Sequence, residues 1–590
     1  MTTSIRIDHD VPMQTRDGVT LRADVFRPDD GSRYPALLTR TPYGKHGYFH
    51  HDFVSAIAAA REGFAVVIQD TRGRFASDGD YVPGIPEGDD SYDAVEWVAS
   101  QPWCDGAVGM YGASYGGRVQ WEAAIAQPPS LRAIAPGIAD ASPINWSERQ
   151  LKGAVMLEDT LSWLAMMVVD IAARTEAGGG DASALRAWTA RAGTDLDGLL
   201  RHLPLRDALP PALGPAVEQF GTVILDPLPP GARPSDLLWN FERVAVPCLH
   251  SGGWYDLFAG STFIGFGEMR KGGGSSAARQ SQHLICGPWG HNRILPPYQG
   301  GLNFGTAAGS TPTGSTPAWA AHLAFFDRYL RGRDVHLPGV RYFVMGADQW
   351  REGDDWPLPG TQFTRFFLAS GGNARTAAGD GVLTRDAPGP QPPDRYIYDP
   401  HNPVPTTGGR LLFTGKRAPG PLEQGRVEVR DDVLCYTTPE LTEDLEVTGP
   451  VILHLFASTS AVDTDFMAKL VDVYPNGAAF NIAEGLIRAR YREGIRSPKP
   501  VVPGEVTPYV IDLAQTSIVF RRGHRIRLEV TSSNFPLIDR NMNTGNPFGV
   551  DSRASLRSGR LPRRPPPRTS SCPSSRRALA EEEDAARRNR

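Results

Sequence analysis

The sequence is poor in cysteine, in long apolar runs and in excess charge of either sign. Five cysteines in 590 residues, Cys104, Cys248, Cys286, Cys435 and Cys572, stand singly with no C-x-x-C pair. That spacing excludes a disulfide framework, and they read as small buried hydrophobes. No apolar stretch approaches the ~20 residues that span a bilayer, and the start, MTTSIRIDHD, lacks the cationic and apolar blocks of a secretion signal. The expectation is a cytoplasmic protein with no membrane contact. A net charge of −5 with 22% charged residues leaves no basic surplus for a phosphate backbone, so nucleic acid is not an expected partner.

Length and alternation are what the chain does have. At 590 residues it exceeds what one core can hold, which predicts roughly two to four domains. Residues 1–144 alternate strand and helix signals. Val19, Leu21, Ala23 and Val25 stand at period two, followed by an apolar run at 36–38 and a helix with Phe53, Ile57 and Ala60 on one face. A continuous apolar strand at 64–69, a helix over 92–99 and a strand at 108–111 complete the segment. This order predicts an α/β fold, a doubly wound sheet. Residues 145–240 lose the strand pattern and read as an inserted helical cap with a helix over 153–170. The α/β rhythm returns over 241–354, with strands at 247–250, 283–286 and 340–345. Residues 355–551 carry closely spaced strands, among them 451–456, 466–474 and 525–531, which predicts a β-sandwich or jelly roll.

Within this frame Gly112-Ala113-Ser114-Tyr115-Gly116-Gly117 matches G-x-S-x-G, a pattern that chance alone supplies about 0.4 times in a chain this long. The context carries more weight. The motif follows the strand at 108–111 directly and opens a helix over 118–126, so Ser114 falls on a strand-to-helix turn, with Gly112 and Gly116 expected to relieve crowding there. A serine hydroxyl needs a base, and in this fold the acid and then the histidine follow in chain order beyond later strands. Asp256 and His291 meet that order, each about half a dozen residues past its strand. His250 precedes the acid and His283 begins its strand, so both read as structural. His46, His50 and His51 lack a third-ligand motif, and no metal site is expected. Asp78, Asp80, Glu87, Asp89 and Asp90 read as a solvated face or helix N-cap.

Taken together, Arg40-Thr41-Pro42-Tyr43, the run from Gln69-Asp70-Thr71-Arg72-Gly73 to Asp78-Gly79, Trp103-Cys104-Asp105-Gly106, the serine turn, Gly253-Trp254-Tyr255-Asp256 and Gly287-Pro288-Trp289-Gly290-His291 resemble the cocaine esterase and X-Pro dipeptidyl-peptidase family (CocE/NonD hydrolases). Asp463-Thr464-Asp465-Phe466 and Asp539-Arg540-Asn541 extend the likeness to about residue 548. The resemblance implies an α/β-hydrolase domain with helical cap and C-terminal jelly roll. It also implies an oxyanion hole made by the Tyr43 hydroxyl and the Tyr115 backbone N–H. The reaction so implied is acyl transfer from a small-molecule ester or amide to water, with no metal and no organic cofactor, and a homodimer is left open. Trp146, Trp163 and Phe258 are the expected walls of an apolar or aromatic acyl pocket. An X-Pro dipeptidyl-peptidase or acylase remains an alternative, for which Glu148, Glu158 or Asp159 would grip a free amine. A catalytically silent ligand-binding protein is the alternative of another class. The α-amino-acid ester hydrolases of this group place acids just after the catalytic aspartate, where this chain has Leu257, Phe258 and Ala259. Residues 552–590 turn Arg-, Pro- and Ser-rich and predict a disordered tail. Ser570 to Ser575 reads as a one-nucleotide frameshift of an apolar strand, whose loss would expose a sheet edge.

Overall fold

The computed structural model describes residues 4–47, 53–81, 87–142, 152–210, 238–291, 293–309, 316–412 and 416–553, with the backbone of 557–561. The first sheet is built from β1 (Ile5–Gln14), β2 (Thr20–Pro28), β3 (Tyr34–Thr41), β4 (Ala65–Asp70), β5 (Cys104–Ala113), β6 (Leu131–Gly137), β7 (Cys248–Tyr255) and β8 (Gln282–Gly290). β9 (Tyr298–Gln299) and β10 (Leu302–Asn303) form a separate small hairpin, and β11 (Val340–Val344) and β12 (Gln349–Gly353) complete the sheet. Its spatial order is β1-β2-β4-β3-β5-β6-β7-β8-β11-β12. The strands from β4 to β11 run parallel, while β1, β2 and β12 close the edges antiparallel.

Continuous apolar strands are explained by burial on both faces. Ala36, Leu38, Ala65, Val67, Val108 and Met110 enter one core, and the intervening Leu37, Val66, Ile68 and Tyr111 enter another. Helix α1 (Ala56–Arg61) contributes to the second core. Helices α2 (Gly88–Ala99) and α3 (Tyr115–Ala126) cover the first. α1 is shorter than its periodicity predicts. Ser55 caps it, accepting from the Ala58 N–H, so Phe53 packs from the preceding segment and Ile57 is 42% exposed.

The inserted segment contains α4 (Leu157–Ala177), α5 (Ser183–Thr194) and α6 (Leu196–Arg201). α4 begins later than the predicted 153–170 because the residues before it pair elsewhere. The Val155 N–H donates to Asp539 Oδ1 at 2.7 Å, Met156 bridges Ile538, and the Leu157 N–H donates to the Leu537 carbonyl at 2.8 Å.

The C-terminal sandwich has β13 (Phe367–Ala369), β14 (Val382–Thr384), β15 (Asp394–Tyr398), β16 (Leu434–Thr437), β17 (Leu445–Thr459), β18 (Asp465–Val473), β19 (Ala479–Arg488), β20 (Thr507–Phe520), β21 (Arg525–Thr531) and β22 (Arg557–Leu561). One sheet is β13-β14-β16-β21-β18-β19 and the other β15-β22-β17-β20. Leu453, Leu455, Tyr509 and Ile511 from the second bury with Phe466, Leu470, Leu528 and Val530 from the first. Strand β22 lies inside the tail expected to be disordered and corrects that expectation for its five residues. It pairs with β15 and β17, so the expected unpaired edge is filled. A slot flanked by two strands offers backbone donors and acceptors that almost any sequence can satisfy. Among the described residues no helix is long and apolar enough to cross a membrane.

Candidate active site

Ser114 links β5 to α3 at φ 57°, ψ −118°, a conformation that costs a non-glycine residue about 1–3 kcal/mol. Surrounding packing fixes it there. Gly112 has φ +142°, and a Cβ on it would stand 2.7 Å from Thr39 Oγ1. A Cβ on Gly117 would stand 2.5 Å from the Ala139 Cβ, whereas one on Gly116 would meet nothing closer than 3.5 Å. The crowding expected at Gly116 is therefore at Gly117. The Ser114 carbonyl accepts from the N–H groups of Gly117 and Arg118 at 2.9 and 3.0 Å. The Tyr115 N–H lies in the first turn of α3, where no intrahelical acceptor exists.

Asp256 directly follows β7 and His291 directly follows β8. Both strands are longer than predicted, because the Gly-Gly and Gly-Pro pairs that read as breakers stay in the ladder, Gly253 opposite Gly287. Glycine is required at both. A Cβ on Gly253 would be 2.2 Å from the Trp289 carbonyl oxygen, and one on Gly287 would be 2.3 Å from the Trp289 ring. The two side chains are fully buried and bonded, His291 Nδ1 to Asp256 Oδ2 at 2.6 Å. A carboxylate only accepts, so Nδ1 carries the hydrogen and Nε2 presents a lone pair. Asp256 Oδ1 accepts from the Phe258 N–H at 2.7 Å, and the Phe258 ring stands edge-on to the imidazole with centroids 5.7 Å apart. Phe258 buries at the junction of all three domains, with Met156, Leu411, Met467 and Leu537.

Trp163 Nε1 of α4 donates to the Tyr43 hydroxyl at 3.1 Å. Burial raises the Tyr43 pKa, keeping the phenol protonated, while the Trp163 hydrogen bond, the Ser114 side chain and the nearby Arg74 charge pull the other way. Because an indole N–H only donates, the Tyr43 oxygen accepts from it and its own hydrogen is directed elsewhere. Arg74, also buried, donates to the Pro42 carbonyl at 2.8 Å and the Met167 carbonyl at 3.1 Å. It ties the Tyr43 segment to α4.

Glu87 is the residue that the sequence does not reveal. Expected as part of a solvated face or as an N-cap, it does stand at the N-cap position of α2, but its side chain caps nothing: it is only 11% exposed and accepts from the Tyr115 hydroxyl. Burial, with Glu122 adding to it, raises its pKa to about 7 against the opposing Arg40 charge. Only a contact across 28 residues of chain exposes this.

The rival histidines are accounted for. His250 Nε2 bonds Gln282 Oε1 at 2.8 Å, and burial lowers its pKa to about 4. His283 bonds the Pro338 carbonyl and the Tyr329 hydroxyl. Of the cap acids, Glu158 pairs with Arg417 at 2.8 Å and Asp159 Oδ1 accepts from the Leu412 N–H at 2.9 Å. Trp146, Glu148, His50 and His51 lie outside the described residues.

A family model described as X-Pro dipeptidyl-peptidase (S15 family) matches residues 17–293, and one described as X-Pro dipeptidyl-peptidase C-terminal non-catalytic domain matches residues 334–556. Cocaine esterase of Rhodococcus sp. (strain MB1 Bresler) is 42% identical over 559 residues, covering 92% of this chain and 93% of that protein. Among solved structures, an α-amino acid ester hydrolase has a TM-score of 0.72 at 24% identity over 95% of each chain. An aminopeptidase from the marine sediment archaeon Thaumarchaeota archaeon has 0.71 at 24% identity over 95% of this chain and 94% of its own. These two bear on the fold alone. With both domains matched and such identity over nearly the full length, the chain belongs to the CocE/NonD family of the X-Pro dipeptidyl-peptidase (S15) group and is a serine ester hydrolase.

Proposed function

We propose that Ser114 is the nucleophile, His291 its base and Asp256 the group that orients the base, acting on carboxylic esters with an apolar or aromatic acyl group. The observation that carries the assignment is the buried His291–Asp256 bond of 2.6 Å at the same sheet edge as the strained Ser114. Nε2 takes the serine proton, Oγ attacks the ester carbonyl, and the proton passes to the leaving alcohol. Water then repeats the sequence on the acyl-enzyme. Charge on the tetrahedral oxygen is met by the Tyr43 hydroxyl and the Tyr115 N–H, worth roughly 3–4 kcal/mol each.

Ester cleavage is favoured over dipeptide release because Glu158 and Asp159 of the cap each already commit one carboxylate oxygen to a partner. Arg417 pairs with Glu158, and the Leu412 N–H is bonded to Asp159. The residues after Asp256, Leu257 and Phe258, bury in an apolar cluster. Trp163 and Phe258 form walls of the acyl site. The four described cysteines are free and buried, which suits a reducing compartment such as the cytosol. Hydrolysis of p-nitrophenyl acetate and benzoate is measured beside Ala-Pro-p-nitroanilide. Faster turnover of the esters is expected, and a preference for the anilide would overturn the substrate reading.

A further inference from the structure

The β1–β2 edge, remote in the sheet order from Asp256 and His291, carries a second cluster of ionisable side chains. The ladder between these strands is irregular between Asp8 and Val11: Asp8 faces Val25 and Val11 faces Ala23, so His9 and Asp10 together oppose the single residue Asp24. Asp10 takes φ 53°, and its N–H donates to Asp24 Oδ1 at 3.0 Å. Such a bulge re-aims a side chain, and here it brings His9 Nδ1 to 2.9 Å from Asp24 Oδ2. From the other side, the turn closed by the Gly47 N–H on the Gly44 carbonyl brings His46 Nδ1 to 3.2 Å from the same oxygen.

We propose that His9, Asp24 and His46 form a three-ligand site for a divalent transition-metal ion such as Zn2+, joining the β1–β2 edge to the loop that follows Tyr43. The three ligand atoms lie within 4.8 Å of one another. Metal–ligand bonds of ~2.0–2.1 Å in a tetrahedron set ligand atoms about 3.3 Å apart, close to the two observed separations. Two imidazoles and one carboxylate, with water in the fourth position, suit zinc in particular. Asp24 is buried and held by the Asp10 N–H, while both imidazoles are exposed. Each ring can therefore carry its hydrogen on Nε2 and offer Nδ1 to the ion. The nearby Lys45 ammonium is paired with Asp10 at 2.7 Å and Asp70 at 3.3 Å, which offsets its repulsion.

The test uses the full, untagged chain, stripped with a chelator and titrated with Zn2+ by calorimetry and with Co2+ by visible absorption. Wild type is expected to bind a Zn2+ that both His9→Ala and His46→Ala lose or bind at least ~10-fold more weakly. The d–d bands of tetrahedral Co2+ should vanish in the same two variants, and Zn2+ should raise the melting temperature of wild type only. Metal-free His9→Ala should melt and hydrolyse esters as metal-free wild type does. Absence of uptake by wild type, or uptake unchanged in both variants, would overturn the assignment.

Discussion

Removing the indole donor to the Tyr43 hydroxyl separates two roles proposed for Trp163, a wall for the acyl group and an orienting partner for the proposed oxyanion donor. The Trp163→Phe substitution keeps an aromatic wall but deletes the 3.1 Å hydrogen bond to the Tyr43 hydroxyl. A neutral bond of this kind contributes about 0.5–1.5 kcal/mol, so kcat should fall by about 2- to 13-fold. Tyr43→Phe removes the donor itself and should cost about 10²–10³ in kcat. If Trp163 acts through Tyr43, the two losses are not additive: Trp163→Phe should have almost no further effect on kcat in the Tyr43→Phe background. The assay is kcat and KM for p-nitrophenyl acetate and benzoate across the four proteins of the cycle, with melting temperatures to confirm folding. Equal effects of Trp163→Phe in both backgrounds, or an effect confined to KM and growing with acyl size, would refute the orienting role.

Two further outcomes are expected. Gly117→Ala should destabilise the protein by about 1–3 kcal/mol, since its Cβ would stand 2.5 Å from that of Ala139. Gly116→Ala, with no neighbour inside 3.5 Å, should melt as wild type does, and equal melting temperatures for the two variants would contradict the packing argument. Glu87 has a folded pKa of about 7, above its unfolded value. Its stabilisation is therefore complete below about pH 4.5 and lost as pH rises through 7. Relative to wild type, Glu87→Gln should gain up to ~3 kcal/mol between pH 5 and 8. A stability difference that is flat across that range, read by denaturant titration, would remove the assignment.

The parts of the site legible in the sequence are those fixed by local backbone chemistry. Ser114 is legible as the candidate nucleophile because a strand, a glycine-rich turn and a helix follow one another within a few residues, and Asp256 and His291 as its candidate partners because each comes, in the expected chain order, in the segment after an apolar strand. Strand length was not legible, since Gly252-Gly253 and Gly287-Pro288 read as breakers until Trp289 is seen filling the space beside Gly253 and Gly287. The bonds of Trp163 to Tyr43 and of Glu87 to Tyr115 were not legible either. Their partners are 120 and 28 residues away, and no periodicity encodes a contact over such a separation. Asp539 and Asp465 stand between these extremes. Both belong to motifs that mark the sandwich, but only the structure shows them bonded to the buried Arg488, with Asp539 also holding the Val155 N–H just before α4. The sandwich thereby anchors the helix that carries Trp163.

The nucleophile assignment is tested most directly by intact-protein and peptide mass spectrometry after reaction with a fluorophosphonate. Wild type should gain a single adduct on the peptide carrying Ser114, and Ser114→Ala, folded by its melting curve, should gain none. An adduct on a different residue of wild type, or undiminished labelling of Ser114→Ala, would contradict the account.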